Sequence, residues 1–172
     1  MSDTAYVFDF DGTLAVTSAR VFVMVGNTVV KTLLTTEYSS YELKGDERFE
    51  YMEFRDPRFI ESAQETELIH FAKFIARLNH TIYILTARDK GCLEEIKSFL
   101  HRFNLIPKEI YCVGNGDANI PEAKQQILKQ IIAEHETVFF YDDDDANLEL
   151  ATELKCHAKD AKSILKMRHQ LR

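Results

Sequence analysis

Two carboxylates one residue apart, Asp9 and Asp11, leave the apolar run Ala5-Tyr6-Val7-Phe8 and are followed at once by Gly12 and Thr13. An apolar run of this length suits a buried parallel strand, and a glycine directly after it turns the chain. Carboxylates placed there supply a nucleophile and an acid/base group at one spot. Asp and Gly also build ordinary acidic turns, so the chemistry must be matched by the rest of the chain.

Three further runs match it. Residues 82–85, 110–113 and 138–141 are short, rich in β-branched or aromatic side chains, and end in polar residues. In an open parallel sheet, ligands bind beyond the carboxyl ends of the strands. The run 82–85 ends in Thr86-Ala87-Arg88, a hydroxyl and a guanidinium. The run 110–113 leads through Gly114-Asn115-Gly116-Asp117 into a helical pattern that carries Lys124 in its first turn, with Lys129 too far along to reach the same edge. The run 138–141 ends in Asp142-Asp143-Asp144-Asp145. Carboxylates converging from two strands would repel and raise one another's pKa unless a cation sat among them. Oxygen donors without His or Cys select Mg²⁺. Carboxylates, Mg²⁺, a lysine and a threonine together suit phosphoryl transfer, with a carboxylate nucleophile forming an aspartyl-phosphate.

Each residue also has a plainer role. Lys124 fits a solvated helix face, and Thr86 a strand-end hydroxyl. Arg88 either grips the leaving group or pairs with Asp89 or an acidic loop. Asp144 and Asp145 suit caps of the next helix that oppose its dipole, with metal ligation the lesser option.

The elements that must position these groups follow from periodicity. Leu68, Phe71, Ala72, Ile75 and Leu78 recur at helical spacing, as do Leu93, Ile96, Leu100 and Phe103, and again Ala123, Ile127, Leu128, Ile131 and Ile132. Pro121 suits the first turn of that third helix. Weaker helical patterns cover 146–154 and 161–171. Strands alternating with helices predict a parallel sheet covered on both faces. Residues 14–60 interrupt the rhythm. The stretches 21–25 and 28–34 predict a hairpin about Gly26-Asn27. Residues 38–58 mix aromatics with charges at no clear period, and read equally as cover for a sheet edge or as a lid over the site.

Composition bounds the rest. The 172 residues, 45% hydrophobic and 28% charged, suit one globular domain. A net charge of −7 argues against broad nucleic-acid binding, while a local basic groove stays open. No apolar stretch is long enough to span a membrane, and the first residues show no signal-peptide pattern. Cys92, Cys112 and Cys156 are odd in number and form no C-x-x-C, which fits a reducing compartment, the cytosol by default. The histidines show no zinc-ligand spacing.

With its strand-end residues assembled, the chain resembles the haloacid dehalogenase superfamily of phosphohydrolases. The likeness rests on four motifs in order: Asp9-Phe10-Asp11-Gly12-Thr13, Thr86, Lys124 and Asp142-Asp143. The resemblance implies a single domain over residues 1–172, a Rossmann-like three-layer α/β/α parallel sheet with a squiggle, a β-hairpin flap and a small irregular insertion after strand one. It implies Asp9 as nucleophile and Mg²⁺ ligand, and Asp11 as general acid/base with its carbonyl on the metal. Thr86 would hydrogen-bond the transferring phosphoryl group, Lys124 would neutralise charge, and Asp142 and Asp143 would complete the metal site. Ala87 and Arg88 would join Thr86 and Lys124 in binding substrate. Ile84-Leu85-Thr86-Ala87-Arg88 and Phe140-Tyr141-Asp142-Asp143 are similar to small, capless phosphatases, including the phosphatase module of polynucleotide kinase-phosphatases, although no P-loop is present. The implied substrate is a phosphorylated metabolite, a nucleotide or a nucleic-acid 3′-phosphate end. The competing expectation is a catalytically silent scaffold that binds a protein partner through residues 38–59.

Overall fold

The computed structural model describes residues 3–38, 40–115 and 119–170. Its centre is a five-stranded parallel sheet of β1 (Thr4–Phe8), β7 (Thr81–Asp89), β8 (Glu109–Gly114), β9 (Thr137–Asp142) and β10 (His157–Asp160), in the order β10-β9-β1-β7-β8. Between β1 and β7 run β2 (Ala15–Val16), β3 (Val21–Val25), β4 (Thr28–Leu33), the single turn α1 (Thr35–Tyr38), β5 (Glu47–Glu50), a 3₁₀ turn (Met52–Arg55), α2 (Arg58–Glu61) and β6 (Gln64–Glu65). The remaining helices are α3 (Glu67–Arg77), α4 (Leu93–Arg102), α5 (Ile120–Glu134), α6 (Asp145–Glu153) and α7 (Ala161–Gln170).

Alternation along the strands divides the core into two. Phe8, Ile82, Ile84 and Tyr141 face α3, α4 and α7, packing with Leu68, Ile96 and Ala161. Ala5, Val7, Leu85, Val138 and Phe140 face α5 and α6, packing with Leu128, Ile131 and Ala151. Both faces are therefore apolar, as a parallel sheet under two helical layers requires. Phe8 stacks on Tyr141 at 4.8 Å across the central pair.

Pairing in register brings the strand ends together. Phe8 lies beside Tyr141 in β9 and beside Ile84 in β7, so the next residues of each strand emerge at one edge. Beyond Phe8 the chain makes one tight coil, the Phe10 carbonyl accepting from the N–H groups of Thr13, Leu14 and Ala15. This is the squiggle that the resemblance implied. Phe10 anchors it, fully buried and edge-on to Phe99 at 5.2 Å.

The insertion is more ordered than its sequence suggests. The hairpin of β3 and β4 turns at Gly26-Asn27 as expected, but β5 pairs with the other side of β3 and completes a three-stranded sheet, β4-β3-β5. Val21, Val23 and Leu33 form its small core, against which Tyr38, Phe49 and Phe54 pack. The two ends of the insertion are clasped by the antiparallel pair β2 and β6. Thr66, the N-cap of α3, ties them further: its hydroxyl accepts from Leu68 N and donates to the Thr13 carbonyl.

Three boundaries differ from the sequence expectation. β10 was not anticipated, because His157-Ala158-Lys159-Asp160 has the polarity of an exposed edge strand. β7 runs on through Thr86-Ala87-Arg88 instead of ending before it. Lys124 lies just past the first turn of α5, which starts at Ile120 with Asn119 as N-cap and Pro121 in that turn. Gly116 and Asp117 of the expected turn, and Leu171 of the last helical pattern, lie outside the described residues. Among those described, no helix is long and apolar enough to cross a membrane.

The acidic run divides its labour. Asp144 is the N-cap of α6, accepting from Asn147 N at 3.1 Å, whereas Asp145 lies in the first turn and pairs with Lys162 at 3.1 Å. Asp144→Ala should lower unfolding free energy by about 1 kcal/mol, and Asp145→Ala by less than about half that. Urea denaturation of the two variants checks the order.

Candidate active site

Four elements deliver the predicted side chains to the carboxyl edge of the sheet. The Asp9 N–H donates to Tyr141 O at 2.8 Å, extending the β1–β9 ladder by one residue and setting Asp9 beside Asp142. From α5, the Lys124 ammonium enters between them, 2.7 Å from Asp9 Oδ1 and 2.7 Å from Asp142 Oδ2. All three are almost wholly removed from solvent: Asp9 is 5% exposed, Lys124 2% and Asp142 0%. Lys124 is thus no solvated helix lysine.

The charges are strongly interdependent. Burial pushes the Asp9 carboxyl well up; Lys124 opposes this, and the fields of Asp142 and Asp143 add to it. Burial works against the Lys124 ammonium, but Asp142 and Asp9 outweigh it and hold its pKa above the ordinary value. Asp143 is pushed up to about 7, first by burial and then by Asp142, with Lys124 counteracting.

Asp142 is held from two more directions. Its Oδ1 accepts from Asp144 N at 2.9 Å and its Oδ2 from Asn147 Nδ2 at 3.0 Å. The other amide atom, Asn147 Oδ1, is buried and has no hydrogen-bond partner among the described residues. Oxygen atoms of Asp9, Asp142 and Asp143 lie within 4.8 Å of one another. An all-oxygen carboxylate set with a neighbouring amide oxygen fits Mg²⁺ and offers nothing that favours zinc.

Gly12 makes room for Asp143. Its φ of +75° lies in the left-handed region, and a Cβ added there would stand 2.3 Å from Asp143 Oδ2. Gly114 performs a similar service at the end of β8, where a Cβ would stand 2.1 Å from the Ala87 carbonyl. That approach seats the irregular end of β7, where register shifts between Thr86 and Asp89.

Thr86 is fully buried, and its Oγ1 accepts from Arg88 N at 3.2 Å. Ala87 next to it is exposed and faces the cavity. Arg88 pairs with the acidic loop after β1, at Asp11 and not at Asp89. Its side chain has no solvent exposure, and its guanidinium donates to Asp11 Oδ2 and Oδ1, each at 2.8 Å, from Nε and Nη2. A further bond goes to the Phe54 carbonyl at 3.1 Å, and Thr17 Oγ1 donates to Asp11 Oδ1 at 3.1 Å. A guanidinium already matched to a carboxylate and a carbonyl has little left for a leaving group. Asp89 is not its partner; it caps the turn at Gly91. Arg88 therefore aligns Asp11 and ties it to both stems of the insertion.

The insertion covers the site. A cavity of about 450 Å³ is lined by Asp9, Asp11 and Lys124 and, from the insertion, by Tyr38, Tyr51 and Phe54. Burial lifts the phenols of both tyrosines, and the field of Asp144 acts on each. Three aromatic residues of the 38–58 stretch thus line the same cavity as the carboxylates. Sequence reasoning missed Thr17, Phe54 and Asn147. Only Asn147 carried a signal, its place in the first turn of the helix after the acidic run.

No family model matches the chain, and no curated protein matches it. Among solved structures, 91% of the chain aligns with 42% of a chain of the Pnkp1/Rnl/Hen1 RNA repair complex, at TM-score 0.64 and 14% identity. A second Pnkp1/Rnl/Hen1 complex gives TM-score 0.55 at 14% identity, over 92% of this chain and 46% of that one. A putative beta-phosphoglucomutase from Thermotoga maritima aligns over 100% of both chains at TM-score 0.53 and 15% identity. The chain spans less than half the length of the RNA-repair chains it matches. At these identities the likeness is one of fold alone, a parallel sheet between helical layers as the strand pattern anticipated.

Two outcomes follow for the site. Gly12→Ala combines left-handed strain with collision against Asp143, so Mg²⁺ should raise the melting temperature of the wild type but not of this variant. In chelated, metal-free protein, Asp143 titrates near 3.8 unfolded and about 7 folded. Its contribution to stability is fully present below the unfolded value and is lost as pH rises through the folded one. Thermal melts between pH 4 and 8 in chelator should show this fall, and Asp143→Asn should flatten it.

Proposed function

We propose that this chain is a Mg²⁺-dependent phosphomonoesterase working through an aspartyl-phosphate on Asp9. The observation that carries the reading is the buried Lys124 ammonium bridging Asp9 and Asp142, with Asp143 beside them. Holding several carboxylates together in a dry site is costly, and a pure binding surface has no use for it.

Asp9, Asp142 and Asp143 would hold Mg²⁺, with the main-chain carbonyl of Asp11. Bound there, Mg²⁺ would neutralise charge on the phosphoryl oxygens. An Asp9 oxygen attacks phosphorus and the ester P–O bond breaks. The departing oxygen takes its proton from the Asp11 carboxyl. Asp11, now a carboxylate, draws a proton from water, which attacks the same phosphorus, releases inorganic phosphate and regenerates Asp9. Thr86 Oγ1 already accepts from a main-chain N–H, so its own hydrogen is available to a phosphoryl oxygen. Lys124 balances the charge that builds on Asp9 and phosphate. Substrate contact falls to Thr86, Ala87 and Lys124, and Arg88 serves by orienting Asp11.

The reading admits a phosphorylated metabolite, a nucleotide or a nucleic-acid 3′-phosphate end. The fold shared with a chain of an RNA repair complex supports the last two. The activity is proposed to reside in one domain over residues 1–172, in the cytosol, with the insertion at 14–60 as its lid.

An aryl phosphate assayed with and without Mg²⁺ tests the class. Asp9→Asn keeps shape but loses the nucleophile, and turnover should fall to an undetectable background, since uncatalysed monoester hydrolysis is among the slowest reactions known. Asp11→Asn should slow alkyl phosphates by about 10²–10⁴-fold and aryl phosphates by far less, because a good leaving group needs little protonation. Equal losses on both would remove the acid role. Wild-type protein that hydrolyses neither, and whose melting temperature ignores Mg²⁺, would instead be a scaffold presenting residues 38–59.

A further inference from the structure

The insertion lines the cavity with rings, those of Tyr38, Tyr51 and Phe54. Tyr38 and Tyr51 meet edge-on at 5.8 Å and 86°, and Tyr51 meets Phe54 at 6.3 Å and 76°. A hydrogen bond of 3.0 Å joins the two phenol oxygens. Tyr38 and Phe54 lean on the small core of Val21, Val23 and Leu33, so the set is held from behind. Packing alone would bury such rings, yet Tyr51 remains 36% exposed and all three line the cavity. Their positions are fixed before any ligand arrives.

We infer that the site takes a mononucleotide-sized phosphomonoester, a nucleoside monophosphate whose base stacks on the exposed ring of Tyr51, with Tyr38 and Phe54 set edge-on beside it, while its phosphate lies at Asp9. The inference rests on the phosphatase reading. A base offers a π-face that rings of this kind hold without reading its edges. About 450 Å³ is the space of a small-molecule pocket. A polynucleotide would need a basic track for its following phosphates. Among the described lining residues the cations are Lys124 and Arg55; Lys124 is bound to Asp9 and Asp142, and Arg55 lies 3.8 Å from Glu50. Asp89, Asp143 and Asp144 line the same cavity and repel a long polyanion. A sugar phosphate would leave the rings without a partner.

The test compares kcat/KM for adenosine 3′- and 5′-monophosphate, ribose 5-phosphate and a 3′-phosphorylated oligonucleotide. At least one mononucleotide should exceed ribose 5-phosphate by about ten- to one-hundred-fold, the worth of one base–aromatic stack. Tyr51→Ala should collapse that ratio mainly through KM, and Tyr51→Phe, which keeps the ring, should preserve most of it. A wild-type ratio near one, a ratio unmoved by Tyr51→Ala, or a tenfold preference for the oligonucleotide would each overturn the inference while leaving the phosphatase intact. If no phosphoester is hydrolysed, the phosphatase reading fails by itself. Calorimetry on Asp9→Asn then decides the stack on Tyr51: adenosine monophosphate binding about tenfold tighter than ribose 5-phosphate upholds it, and equal or absent binding overturns it.

Discussion

A single ammonium group holds the active edge together. Asp9 and Asp142 leave neighbouring parallel strands at matched register, so pairing of the strands forces their carboxylates side by side in a place almost without water. Two anions there would drive the strand ends apart or take up a proton. Lys124 removes that conflict with one hydrogen bond to each. The rest of the edge is arranged around it: α5 must start where it does to deliver the lysine, and Asn147 and the Asp144 N–H must fix the second carboxylate. Removing one partner from such a buried set costs more than the set itself returns in stability.

The sheet was legible because its information is local. Four apolar runs, three periodic helices and the polar residues at strand ends can each be read within a dozen residues, and together they placed Asp9, Thr86, Lys124 and Asp142 at one edge. What escaped was carried by long-range pairing. β5 reads Glu47-Arg48-Phe49-Glu50, too charged for a strand, and becomes one only because β3 offers its free side. β10 is polar for the same reason. Arg88 finds Asp11, far away in sequence, and no spacing rule distinguishes it there from a guanidinium waiting for phosphate. Asp144 and Asp145 could not be told apart, because either satisfies a cap in sequence and only backbone geometry chooses.

The insertion is built as a second, smaller sheet with its own core, and it meets the main sheet at few points. The clasp of β2 and β6 closes its base, and Arg88 reaches from β7 to the Phe54 carbonyl and to Thr17 through one side chain. The insertion and Asp11 therefore share a support. A displacement of the 3₁₀ turn at Phe54 pulls on the same guanidinium that aligns Asp11.

The strand order also bears on how the chain reaches this state. β1 is the middle strand, yet it precedes every partner: Ala5 pairs with Thr81 and Thr4 with Thr137. As the chain emerges, its central strand has nothing to pair with until residues 81–84 exist, and its second neighbour waits for residues 137–141. Contacts so distant impose loop-closure entropy before they yield any burial, which slows folding and prolongs the exposure of unpaired edges. The polar coil and charged flap that follow β1 keep the intervening segment hydrated meanwhile. The hairpin, whose strands are adjacent in sequence, can close on a microsecond scale of about 1–10 μs. The hairpin can thus form before the strand ends beside it are assembled.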